Sequence, residues 1–212
     1  RRGEARVSMP GGCSFGARPV DLHLRGLEAL GARIELDGGD IVATARRLRG
    51  ARVFLGGPFG STVLGTANVM SAATLAEGTT VIESAACEPE IQDLARLLRS
   101  MGARISGEGS PRITIQGVPR LGGADHRVMP DRIVAGTGAM AAGVTNGTLV
   151  LRRFPLDSLL AVVDLLGRVG VEVRPIAGDP DGTACTVEVA SRRRLEPAVL
   201  TTQPYPGFPT DL

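Results

Sequence analysis

A cysteine and an arginine five residues apart, followed at once by a proline, are the groups of this chain best suited to chemistry. They stand in the run Gly11-Gly12-Cys13-Ser14-Phe15-Gly16-Ala17-Arg18-Pro19-Val20-Asp21. Pro19 reads as the first position of a helix, where its fixed φ and missing N–H cost nothing. Cys13 and Arg18 therefore fall just ahead of a helix N-terminus, a place that favours anions. The same positive surroundings lower a thiol's pKa and make the thiolate available. A guanidinium fork grips phosphate or carboxylate through two parallel hydrogen bonds. The plainer alternatives are a small buried thiol in a turn and one surface arginine among 24.

Composition limits what such a site would serve. The 212 residues suffice for one large domain or two modest ones, and 43% hydrophobic with 22% charged residues is ordinary for a globular protein. No apolar run approaches the length of a membrane span, and no signal peptide is visible. A net charge of +2 gives no reason to expect nucleic acid, and at 3% aromatics there is no platform for base stacking. Every basic residue is arginine, which genomic base composition explains most simply. Cys13, Cys87 and Cys185 are odd in number and widely spaced, so neither a zinc site nor a disulfide framework is expected. A reducing cytoplasm suits them best. His23 and His126 have no metal-ligand spacing to each other or to a cysteine, and with Cys87 and Cys185 they read as structural. No metal or cofactor is expected.

An internal repeat supplies the elements that must hold the loop. A helix pattern ending in Gly-hydrophobic-x-hydrophobic occurs over residues 19–34, 89–105 and 155–173, and its closing glycines at 31, 102 and 170 are 71 and 68 residues apart. A second pattern, beginning at Met70 and again at Met140, recurs in phase with a spacing of 70. Self-similarity at this period means one supersecondary unit used repeatedly. Apolar residues at three-to-four spacing, such as Leu94, Leu97, Leu98 and Met101, give the helix, and the glycine is its C′ cap. A short alternating strand follows. The Ala-rich stretch 67–76 is nearly free of polar side chains and is expected to be a second, buried helix, with a strand at 78–83. Helices and strands therefore alternate, and the expected class is α/β (α+β).

The stretch from Met9 to His23 closely resembles the catalytic loop of the UDP-N-acetylglucosamine 1-carboxyvinyltransferases, a branch of the enolpyruvyl transferase family. The resemblance continues, in the family's order, through Ala72-Ala73-Thr74-Leu75-Ala76-Glu77-Gly78-Thr79-Thr80, Glu88-Pro89-Glu90-Ile91, Pro130-Asp131-Arg132-Ile133 and Phe208-Pro209-Thr210-Asp211. It implies an inside-out α/β barrel of repeated βαβαββ-type units arranged in two domains. The implied division gives residues 1–129 to the latter part of the domain carrying the cysteine loop, and 130–212 to the opening part of the second. Members of this family extend beyond both ends, so a fragment is expected, inactive by itself. An early Lys-Asn pair and further arginines of the family's site lie outside it.

The implied reaction joins phosphoenolpyruvate to the sugar 3-hydroxyl of UDP-N-acetylglucosamine and releases phosphate. It is the first committed step of peptidoglycan synthesis. By the resemblance Cys13 is the catalytic cysteine, a proton donor to the enolpyruvyl methylene and the residue that fosfomycin alkylates. Arg18 meets the substrate anions. Pro19, Val20, Asp21 and Leu22 contact the uridine nucleotide. Asp211 interacts with the sugar 3-hydroxyl as its proposed base. Thr62 and Val63 fall in a second nucleotide-contacting loop, where Ser61-Thr62-Val63-Leu64-Gly65-Thr66 departs from the commoner Ser-Val-Gly-Ala-Thr. Glu88 and Glu90 read as acids that begin a helix, where they are favourable. The expected partners are small molecules alone, with no nucleic acid and no membrane. Two rivals stand beside this reading. One is the shikimate-pathway enolpyruvyl transferase, which shares the fold but lacks the Gly-Gly-Cys loop. The other is a non-catalytic UDP-sugar-binding paralogue, left open by the departure at residues 60–65.

Overall fold

The computed structural model describes residues 3–9, 20–58, 60–180, 182–191 and 194–212. The chain separates into two compact units, Arg1–His126 and Arg127–Leu212, each with its own apolar core.

The first unit contains one complete βαβαββ motif. It runs β4 (Arg52–Phe54), α2 (Val63–Ala73), β7 (Thr79–Glu83), α3 (Pro89–Ser100), β8 (Arg104–Ser106) and β9 (Arg112–Gln116). A two-residue hairpin, β5 (Gly56–Gly57) with β6 (Gly60–Ser61), sits between β4 and α2. The sheet order is β4-β7-β9-β8, with β4 and β7 parallel and the other pairs antiparallel. Before it come β1 (Glu4–Ser8), α1 (Asp21–Ala29), β2 (Arg33–Asp37) and β3 (Asp40–Thr44), the strands ordered β1-β3-β2.

The second unit holds α4 (Arg132–Val144), β10 (Thr148–Phe154), a single 3-10 turn (Leu156–Ser158), α5 (Leu160–Val169), β11 (Val171–Gly178) and β12 (Cys185–Ser191). Its sheet runs β10-β12-β11. In each sheet of three or more strands among the described residues, a strand ahead of the helix is followed by a hairpin whose second strand pairs with it, which is the structural form of the 70-residue repeat read from the sequence.

The closing glycines behave as helix caps. Gly31 (φ +94°) donates to Glu28 O at 2.8 Å while Ala32 N donates to Leu27 O at 3.1 Å. Gly102 (φ +101°) and Ala103 repeat the pair, onto Arg99 O and Leu98 O, both at 2.9 Å. Both are Schellman motifs, which need a left-handed residue at C′. Gly170 has φ +102° and closes α5. The repeat's third helix differs from the expectation of one segment over 155–169, because Leu159 interrupts it after a single 3-10 turn.

The Ala-rich helix also differs from its expected bounds of 67–76. It starts four residues earlier, because Thr62 caps it: Thr62 Oγ1 accepts from Gly65 N at 3.1 Å. It ends at Ala73, where the chain tightens into three-residue turns, Leu75 N to Ala72 O and Ala76 N to Ala73 O. Burial is one-sided: Gly65, Thr66, Val69, Met70 and Ala73 are buried, whereas Leu64 is 65% exposed. The close crossing of α2 is allowed by a glycine on α1, which packs against Val69. A Cβ placed on Gly26 of α1 would lie 2.3 Å from Val69 Cγ2. No helix among the described residues is long and apolar enough to cross a membrane.

This crossing fixes where α1 lies on α2. In the full-length protein, Gly26→Leu is expected to lower the free energy of unfolding by about 1–3 kcal/mol through overpacking, measured by urea denaturation. An unchanged midpoint and slope would show that α1 and α2 do not meet at this glycine.

Candidate functional site

Within the first unit, the starts of α1, α2 and α3 gather at one end. The parallel strands β4 and β7 both finish there, β4 running through Leu55 into the hairpin and β7 through Ser84 towards α3. Carboxyl ends of parallel strands are where open α/β sheets bind ligands. Ser84 adopts φ +55°, a left-handed conformation unusual for a residue with a side chain.

One buried hydroxyl ties two of the helix starts together. Thr66 Oγ1 donates to Thr62 O at 2.7 Å and accepts from Ala86 N at 3.0 Å. Thr62, Thr66 and the segment leading to Glu88 are thereby held in register. Because Thr62 Oγ1 satisfies only Gly65 N, the N–H groups of Val63 and Leu64 stay outside the helical ladder at the first turn. Val63 is half-buried against the apolar core.

The α1 start is attached to the same hairpin. Leu22 is half-buried and packs towards Gly57, where an added Cβ would meet its Cδ1 at 3.3 Å. Arg25 Nη2 donates to Phe54 O at 2.8 Å and to Gly56 O at 3.1 Å, and its guanidinium lies 5.9 Å from the centroid of the Phe54 ring. His23 Nδ1 and Asn68 Nδ2, 2.9 Å apart, join α1 to α2. Burial of His23 holds its imidazole below the usual histidine range, against the opposing pull of Asp21. Val20 stands at the N-cap position and accepts from Leu24 N, and Asp21 is the exposed acid of the first turn. Leu22 of one predicted nucleotide segment and Thr62 of the other are thus brought to the two sides of one hairpin. Cys13, Arg18 and Pro19 lie outside the described residues.

Asp211 belongs to the second unit. It is exposed in a turn between Phe208, buried in that unit's core, and Leu212, which packs on Gly136 of α4. The preceding loop is held by Gln203 N donating to Phe208 O at 2.9 Å and by buried Arg132, whose guanidinium lies 5.6 Å from the centroid of the Tyr205 ring. Asp131, in the matched Pro130-Asp131-Arg132-Ile133 block, caps α4: its Oδ1 accepts from Ile133 N at 2.8 Å and Val134 N at 3.0 Å.

The residues read as structural have partners or burial to match. His126 Nε2 lies 3.1 Å from Asp93 Oδ2, and Arg96 holds the other oxygen at 3.0 Å. Cys87 and Cys185 are half-buried free thiols. Among the described residues no group of three or more His, Cys, Asp or Glu is placed to hold a metal. A groove of about 1150 Å³ lies at the other end of the unit, lined among others by Gly31, Arg33, Leu48, Leu75 and Gly117, and none of the candidate residues among the described residues borders it.

Glu88 does stand at a helix start, as its reading expects, but its carboxylate does not serve the helix. It occupies the N-cap position of α3 but makes no capping hydrogen bond through its side chain. The residue is only 6% exposed, and Oε2 is sealed from solvent without a hydrogen-bond partner. Sequence shows that an acid is favourable at a helix start; it does not show whether the carboxylate turns back to the backbone.

Burial and the neighbouring Glu88 push the Cys87 thiol up, and burial followed by Asp179 does the same for Cys185. Both should hold little thiolate at neutral pH. In the full-length protein at pH 7.5, iodoacetamide should label Cys87 and Cys185 roughly tenfold more slowly than an exposed cysteine peptide, read by peptide mass spectrometry. Equal rates would contradict the half-buried placement.

Comparison with known proteins agrees along the whole chain. A family model described as EPSP synthase (3-phosphoshikimate 1-carboxyvinyltransferase) matches residues 1–212. A UDP-N-acetylglucosamine 1-carboxyvinyltransferase of Nitratidesulfovibrio vulgaris is 50% identical over 214 aligned positions, covering 100% of this chain and 49% of that protein. Proteins of the same name from Methylacidiphilum infernorum and Methylobacterium nodulans are 48% and 51% identical, again over 100% of this chain and 49% and 48% of their own lengths. The chain thus spans about half the length of the curated relatives it matches. Among solved structures, the enolpyruvyl transferase NikO from Streptomyces tendae superposes with a TM-score of 0.78 at 22% identity, covering 99% of this chain and 48% of that one. EPSP synthase from Acinetobacter baumannii gives 0.66 at 22% identity, with 91% and 43% covered. On the match of the whole chain, the protein belongs to the EPSP synthase (3-phosphoshikimate 1-carboxyvinyltransferase) family of enolpyruvyl transferases.

Proposed function

We propose that the protein transfers the enolpyruvyl group of phosphoenolpyruvate to the 3-hydroxyl of UDP-N-acetylglucosamine and releases inorganic phosphate. The observation that carries this reading is the 48–51% identity, along the full chain, to relatives named for that activity. The Gly11-Gly12-Cys13 run supports it over the shikimate-pathway reaction, whose enzymes lack that loop.

The chemistry divides among the candidate residues. Cys13 delivers a proton to the methylene carbon of phosphoenolpyruvate as the sugar oxygen bonds to the adjacent carbon. Asp211 accepts the proton that the 3-hydroxyl gives up. In the second half the new methyl group returns a proton, the carbon–phosphate oxygen bond breaks, and phosphate departs with the bonding pair. Proton transfer by positioned groups is the main protein contribution here. Arg18 neutralises the anions of phosphoenolpyruvate and phosphate through its two-pronged donor set. Pro19, together with Val20, Asp21 and Leu22 at the start of α1 and Thr62 and Val63 at the start of α2, holds the uridine nucleotide. The N–H groups outside the helical ladder at these first turns suit an anionic diphosphate. No metal or organic cofactor takes part.

In this reading residues 1–129 form the latter part of the domain bearing the cysteine loop, and 130–212 the opening part of the second. The enzyme works in the cytoplasm, at the first committed step of peptidoglycan synthesis, and so serves cell-wall biogenesis, cell shape and cell division. Its partners are its two small-molecule substrates, with no nucleic acid or membrane. Fosfomycin would alkylate Cys13.

Phosphate release from the full-length protein should require both phosphoenolpyruvate and UDP-N-acetylglucosamine. Cys13→Ala should reduce the rate by about 10²-fold or more. A folded protein that binds UDP-N-acetylglucosamine without releasing phosphate would instead be the non-catalytic paralogue.

A further inference from the structure

We propose that Glu88 is a specificity-determining residue for the UDP-sugar, its carboxylate accepting a hydrogen bond from an uncharged O–H or N–H donor of that substrate. The inference rests on the enolpyruvyl transferase reading and adds a residue that the resemblance did not supply.

Three observations converge on it. Glu88 is 6% exposed, its Oε2 is out of contact with solvent, and that oxygen has no hydrogen-bond partner. Buried polar atoms nearly always have a partner, so an unpaired carboxylate oxygen calls for an explanation, and a donor carried by the substrate supplies one. The ordinary local partner is declined, since Glu88 stands at the N-cap of α3 and its side chain does not bond the first-turn N–H groups. Its position is fixed by the candidate site: Ala86 N bonds Thr66 Oγ1, and Thr66 in turn bonds Thr62 O. Glu88 follows two residues later, beside the start of α2 that carries Thr62 and Val63. Unpinned by any capping bond, the carboxylate is able to turn towards an incoming donor.

Charge selects the donor. Phosphoenolpyruvate offers only anionic phosphate and carboxylate, which a buried carboxylate repels. The diphosphate is excluded on the same ground. The remaining donors are the hydroxyl, amide and imide groups of the UDP-sugar. A site built to bond such a group discriminates strongly against an analogue lacking it.

The test uses the full-length protein with Glu88→Gln, which keeps size and shape, beside Glu88→Ala. Steady-state phosphate release should show KM for UDP-N-acetylglucosamine raised on the order of tenfold in Glu88→Gln, with KM for phosphoenolpyruvate and kcat changing far less. Thermal melting of the ligand-free variant should not fall, because no internal bond is lost. Calorimetry with UDP and with UDP-N-acetylglucosamine then assigns the donor: weakening of the sugar nucleotide alone places it on the sugar, and weakening of both places it on the nucleoside. Wild-type KM in a folded Glu88→Gln protein overturns the proposal. So does a lower melting temperature with unchanged affinity, which would make a cation of the protein itself the partner. Absence of phosphate release from the wild-type protein would sink the transferase reading separately; calorimetry would still decide Glu88, equal affinities overturning it.

Discussion

The hydroxyl of Thr66 is the smallest part of this structure on which the most depends. It is fully buried, and it bonds two backbone segments at once: the carbonyl of Thr62 at the start of α2 and the amide of Ala86 ahead of α3. Two helix starts, each with N–H groups outside its own ladder, are thereby fixed side by side. The crossing of α1 over Val69 at Gly26 brings the third to the same end. Each of these contacts decides where a candidate substrate-binding segment stands. A buried hydroxyl with both partners satisfied is rigid, and losing either partner would leave a polar atom stranded in the interior.

Electrostatics at this end are mixed in a way that suits a sugar nucleotide. Helix starts carry partial positive charge and favour a diphosphate. Among them sits the Glu88 side chain, buried and unpaired through Oε2. A purely phosphate-binding end would have no use for such a group. A ligand with an anionic middle and uncharged, donor-rich ends accommodates both features. The large groove elsewhere in the unit lies against the C-terminal ends of α1 and α2, where the helix dipoles have the opposite sign.

Much of the fold was legible because the repeat is written in residues with narrow physical roles. Gly31, Gly102 and Gly170 could be placed as helix caps from sequence alone, since only a residue without a side chain adopts φ near +100° at no cost. Sheet order could not be read, because it depends on which strands a hairpin folds back upon. The bounds of α2 were misplaced for a local reason. Its alanines dominate any composition-based reading, while the true start is set by one hydroxyl, that of Thr62. The candidate site was legible through the family resemblance more than through residue type. Leu22 and Thr62 were named separately and proved to flank one hairpin. Glu88 was set aside as an ordinary first-turn acid, because whether a carboxylate caps its helix or turns away is a matter of rotamer and packing.

The central claim is that the gathered starts of α1, α2 and α3 form the UDP-sugar-binding end. Amide hydrogen exchange of the full-length protein, with and without saturating UDP-N-acetylglucosamine, addresses it most directly. Within the first unit, slowed exchange should concentrate at residues 20–24, 56–66 and 84–92. Protection centred instead on β1, β3 and the groove bordered by Leu48 and Gly117, with the helix starts unchanged, would contradict the account.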